Sequence, residues 1–100
     1  MATMHDYTGW IVQAVAGRDK DGIFCVVGMD QERQMLLLAD GKRRKAGNPK
    51  AKKLGHVLAL TDCQHEFDHP AIQKLKQGET LTDKELRRAL AAFRAESRRV

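Results

Sequence analysis

The first sixty residues alternate between short apolar runs and polar, glycine-containing breaks. In GWIVQAV, residues 9–15, Trp10, Val12 and Ala14 fall on one side and Ile11 and Val15 on the other, which predicts a strand. AGRDKDG follows, bounded by Gly17 and Gly22 and filled with charge, and reads as a turn. IFCVVGM, residues 23–29, is a second strand with two apolar faces. DQER, residues 30–33, is a connector of the length that joins antiparallel neighbours, and MLLLA, residues 35–39, is a third apolar run. Asp40-Gly41 favours a two-residue type I′ hairpin, so residues 42–45 are expected to return along the edge as a strand. Gly47-Asn48-Pro49 breaks that edge, and HVLAL, residues 56–60, is the last strand. Five short strands with tight polar turns are the signature of a small barrel. Within it Ile11, Val26, Leu37 and Val57 are expected to be mostly buried.

Beyond residue 60 the period changes. AIQKLKQG after Pro70 carries the first-turn proline and terminal glycine of a short helix. Thr82-Asp83-Lys84-Glu85 is a capping box, with Leu81 and Leu86 placed as its hydrophobic staple. Leu86, Ala89, Leu90 and Phe93 then share one face, while Arg87, Arg88, Arg94 and Arg98 cover much of the rest. That stripe is too small to form a core alone and is expected to pack on the barrel or the adjacent helix.

Composition narrows the reading. A chain of 100 residues with 42% apolar content is the size of one domain with one compact core, and its five aromatic residues make that core aliphatic. The N-terminus MATMHDYTGWIVQAV has neither a basic leader nor a long apolar run, which predicts a soluble, cytoplasmic protein with no membrane partner. Cys25 and Cys63 form no CxxC pair and are expected to remain thiols, Cys25 as a small core residue.

Charge changes the picture most. Residues 1–41 carry three basic and six acidic groups, residues 42–53 seven basic and none acidic, and residues 54–100 eight basic and seven acidic. The net charge of +5 therefore resides in one twelve-residue stretch. Lys42, Arg43, Arg44, Lys45, Lys50, Lys52 and Lys53 are spread over a hairpin edge and a Gly-Pro loop, forming a band able to track phosphates. Lysines also protect edge strands from aggregation, but seven positive charges uninterrupted by an acid exceed what that needs.

VAGRDKDGIFCVVGM, a strand entering a glycine-containing turn and leaving through a second apolar strand, resembles the KOW motif. The continuation LLLADGKRRKAGNPKAKKLGHVLAL resembles the second half of the KOW-containing large-subunit ribosomal proteins of archaea and eukaryotes, and still more their short bacterial relatives, the KOW-domain RNA-binding proteins. The resemblance spans about Gly9 to Leu60, half of the chain. It implies an SH3-like barrel and RNA contacts through Arg18 and Lys20 of the turn together with the basic segment.

The expected fold is thus mainly β: residues 1–8 a disordered or extended tail, 9–60 a small SH3-like β-barrel of the KOW type, and 61–100 a C-terminal helical extension. The expected function is non-enzymatic binding of structured RNA, ribosomal RNA above all, by a ribosome-associated or ribosome-assembly protein, with ribosomal proteins as further partners of the C-terminal helix. The alternative is an SH3-like protein-interaction module. A peptide-binding barrel needs an aromatic groove for proline-rich ligands, and with Trp10, Phe24 and Phe93 assigned to packing only Tyr7 and Phe67 remain. The same shortage argues against stacking single-stranded bases. No GxxxxGK[ST], no GxSxG and no nucleophile beside a base is present. Cys63, His65, His69 and His56 match no zinc spacing and read as part of an acidic loop, so no cofactor or metal is expected.

Overall fold

A computed structural model describes residues 5–61 and 67–97. Five strands, β1 (Ile11–Ala14), β2 (Ile23–Asp30), β3 (Met35–Ala39), β4 (Lys50–Lys53) and β5 (Val57–Ala59), form one antiparallel sheet in the order β4-β3-β2-β1-β5. A single 3-10 turn, Leu54–His56, joins β4 to β5, and two helices follow, α1 (Pro70–Lys76) and α2 (Asp83–Ser97). No described helix is long and apolar enough to cross a membrane.

The continuous apolar runs are explained by burial on both faces of the sheet. On one face Val12, Ala14, Phe24, Val26, Leu36 and Leu38 pack together, with Trp10, Tyr7, Met29 and Val57 around them. On the other, Ile11, Cys25 and Ala39 meet Ile72 and Leu75 of α1 and Leu86, Ala89 and Leu90 of α2. The pairs Val12↔Phe24 and Val26↔Leu38 keep this alternation in register across three strands. A bulge between Val26 and Gly28 then adds one residue to β2, which bends the strand and sharpens its twist.

Three expectations are corrected. Residues 42–45 do not form the fourth strand. The Asp40 carboxylate accepts from the backbone N–H of Lys42 and of Arg44, both at 2.9 Å, and the Asp40 and Gly41 N–H groups donate to the Arg44 carbonyl at 3.0 Å. These bonds wind residues 40–44 into a loop instead of extending them, and pairing resumes only at Lys50, opposite Leu38. The four expected core residues are all mostly buried, Ile11 and Val26 fully and Leu37 and Val57 less completely. Leu37 sits opposite Gly28 at the bulge, and Val57 lies in a short edge strand. Second, Phe67 is not spare surface: it is buried against the edge of Phe93 and stacked with His69. Third, Tyr7, expected in a disordered or extended tail, packs edge-on to Trp10 with ring centres 4.7 Å apart.

The helix boundaries follow the sequence signals. His69 Nδ1 accepts from the Ala71 N–H at 3.1 Å ahead of Pro70. At the other end Gly78 (φ +86) lets its own N–H reach the Leu75 carbonyl and the Glu79 N–H reach that of Lys74, a Schellman motif. The box opening α2 is complete: Glu85 N–H donates to Thr82 Oγ1 at 3.2 Å, and Thr82 N–H to Glu85 Oε1 at 3.0 Å. Leu81 and Leu86 close the staple inside the helix-side core. Lys74, 2.7 Å from the Glu85 carboxylate, and the Thr82 N–H hold that carboxyl down at about 2, from an ordinary 4.5. Its support for the cap is full above about pH 4.5 and is lost as the pH falls through about 2. Thr82→Ala is expected to cost about 1 kcal/mol of stability in denaturant unfolding, with weaker hydrogen-exchange protection at the start of α2.

Candidate nucleic-acid interface

The end of β1, the start of β2, the end of β3 and the start of β4 lie at one end of the sheet, as the pairs Gln13↔Ile23, Cys25↔Ala39 and Leu38↔Lys50 require. The connections leaving that end are the turn of residues 15–22 and the loop of residues 40–49. Every basic residue anticipated as an RNA contact lies on these two connections or on β4.

The β1–β2 turn is closed by its own backbone. Asp21 N–H donates to the Ala14 carbonyl at 2.7 Å, Ala14 N–H to Gly22 at 3.0 Å, and Gly22 N–H to Asp19 at 2.9 Å. Gly17 supplies the positive φ (+83) with which the chain enters it. Asp19 is buried, while Arg18 and Lys20 on either side are exposed. The Asp19 carboxylate is gripped by Arg44, whose Nη2 and Nε donate at 2.9 and 3.3 Å. That bidentate pair holds the Asp19 carboxyl below its ordinary value against the opposing effect of burial, with Lys52 and Lys50 adding to the attraction.

A second tie joins the same connections. Period two along β4 sets Lys52 on the face of its partner Leu36, and there it is buried with only 7% of its surface exposed. Its Nζ donates to the Ala16 carbonyl. Arg44 and Lys52 therefore act within the protein, one neutralising Asp19 and the other anchoring the turn. Arg18, Lys20, Lys42, Arg43, Lys45, Lys50 and Lys53 are exposed. Lys52→Ala is expected to cost about 1–3 kcal/mol in chemical unfolding, because the Ala16 carbonyl loses its donor.

The candidates omitted two groups that shape the site. Asp19 is the hinge of the arrangement, and its one sequence signal is an acid standing between Arg18 and Lys20. Arg87 of α2 donates from Nη1 to the Gly41 carbonyl at 2.7 Å, bringing the helix against the basic loop. Its place among the arginines of α2 does not mark it out.

Other chemistry is limited. Burial pushes the Cys25 thiol up to about 12, so it is a poor source of thiolate. Cys63 and His65 of the zinc candidates lie outside the described residues, and His69 is occupied in capping α1. Among the described residues no three His, Cys, Asp or Glu side chains gather as a metal site. His5, Tyr7 and Trp10 form a ring cluster before β1, whereas the basic turn follows β1, so a strand length separates them. Compared with models of protein families and with curated proteins, the chain matches none.

Proposed function

We propose that this chain is a non-enzymatic, cytoplasmic RNA-binding protein that holds folded RNA by its phosphate backbone, as a ribosome-associated or ribosome-assembly protein. The observation that carries the reading is convergence. Two segments about 25 residues apart, each picked out by charge or by resemblance to KOW proteins, are tied together through Asp19–Arg44 and Lys52–Ala16. Seven exposed cations spread over two loops and a strand edge suit a backbone track better than a pocket for one small anion.

An SH3-like barrel is the architecture this reading assigns to the sheet. Supporting it are the pairing of β1 with both β2 and β5, the bulge that curls β2, and a face whose side chains from three strands pack on one another. Folded RNA is favoured over single strands because Phe24 and Phe67 are buried, Phe93 is half-buried, and the Tyr7–Trp10 pair lies a strand length from the turn that bears Arg18 and Lys20. The apolar stripe of α2 is spent on the sheet, so any protein partner of that helix meets its arginine-rich face.

The ribosomal part of the reading is tested by sedimenting native lysate on a sucrose gradient. Comigration with large subunits or their precursors, released by high salt, is the expected result. A position only at the top of the gradient would contradict it.

A further inference from the structure

Beside the basic loop, a cleft of about 360 Å³ opens between that loop and α2. Lys42 and Arg43 line it from the loop, Arg87 and Arg94 from the helix, and Leu90 and Ile23 supply apolar surface. Arg87, Leu90 and Arg94 recur at the spacing of one helix face, so the two guanidinium groups border the same volume from positions two turns apart.

The enclosure is built in. Asp83 Oδ1 accepts from the Ala46 N–H at 2.7 Å, and Arg87 fixes the Gly41 carbonyl from the next turn of α2. At Gly41 the contact is so close that a Cβ would lie 2.3 Å from the Asp83 carbonyl oxygen, and its φ of +78 independently favours glycine. The lining holds one carboxylate, Asp40, already engaged by the N–H groups of Lys42 and Arg44. Among the described residues no ion pair neutralises Lys42, Arg43, Arg87 or Arg94.

Four cations around one small volume repel each other until an anion enters. Guanidinium groups in such a setting match the paired oxygens of a phosphate. We infer that this cleft is a phosphate subsite that continues the RNA interface from the loops onto α2, so that the helix grips RNA as well as packing on the sheet. The inference rests on the RNA-binding reading above.

The test compares wild type with Arg94→Gln and Arg88→Gln in binding a hairpin RNA across a salt series. Arg94→Gln leaves the Arg87–Gly41 contact in place, and Arg88 removes the same charge from outside the cleft. Arg94→Gln is expected to flatten the slope of log K against log salt by about 1, so that its deficit shrinks about threefold between about 50 and 200 mM salt. Arg88→Gln is expected to behave as wild type. Unchanged binding by Arg94→Gln, while Lys50 and Lys53 substitutions still weaken it, would overturn the cleft and leave the RNA reading standing. Equal losses from both arginine variants would also overturn it, since net charge alone would then account for them. Saturable thermal stabilisation by inorganic phosphate, lost in Arg94→Gln with RNA binding intact, would give the cleft to a free anion. No wild-type binding at low salt would overturn both readings.

Discussion

RNA affinity is expected to fall roughly a hundredfold to a thousandfold as salt rises from about 50 to about 200 mM. Each phosphate covered releases condensed counterions, which added salt drives back, and a duplex phosphate contributes about −0.9 to the slope of log K against log salt. With about four to six of the exposed cations engaged, the slope is about −4 to −5. Replacing Lys45, Lys50 and Lys53 together by Ala is expected to flatten it by about 2 to 3 and to weaken unrelated RNA sequences alike, because phosphate contacts carry no base information. Lys52 is left out of this set because its ammonium is bound to the Ala16 carbonyl. Replacing Lys76, Lys84 and Arg88 removes the same charge away from the proposed track and is expected to do much less. Equal losses from the two sets would mean that only overall charge matters.

Phe24→Ala is expected to cost about 3–5 kcal/mol. Phe24 is 1% exposed, lies opposite Val12 in the middle of the sheet and fills the face formed by β1, β2 and β3. Against the roughly 5–15 kcal/mol by which a domain is stable, this is a large share, and the melting temperature is expected to drop by roughly 15–30 °C. The same ring supports the interface: a Cβ on Gly22 would lie 2.8 Å from it, so the turn bearing Arg18 and Lys20 rests on Phe24. Leu37→Ala, at a half-buried position, is expected to cost much less. Equal melting shifts for the two variants, measured by circular dichroism, would contradict this account of the core.

The features written locally were legible in the chain. Short apolar runs between polar, glycine-containing breaks marked β1, β2 and β3. The Thr82-to-Glu85 box opened α2, and Pro70 and Gly78 bounded α1. What was hidden depended on residues far apart in the chain. Asp40-Gly41 looks like a two-residue hairpin until the Asp40 side chain captures two N–H groups of its own loop, and Asp83 and Arg87 then hold that loop from 37 and 46 residues away. Composition makes the cations of residues 42–53 equivalent. Their division into exposed and internal groups needs the register of β4 against β3 and the meeting of Asp19 with Arg44, 25 residues apart. The burial of Phe67 comes from its contact with Phe93 of α2, 26 residues on, which no local pattern around Phe67 announces.

The central claim, that the two basic loops and the adjoining β4 edge grip folded RNA, is tested most directly by titrating a hairpin RNA into isotopically labelled protein and following backbone and side-chain resonances by NMR at low salt. The account predicts that the largest changes map to Arg18, Lys20, Lys42, Arg43, Lys45, Lys50 and Lys53, with smaller effects at Lys52 and none of comparable size at Tyr7 and Trp10. No changes, or changes centred on the Tyr7–Trp10 cluster with the basic loops unaffected, would contradict it.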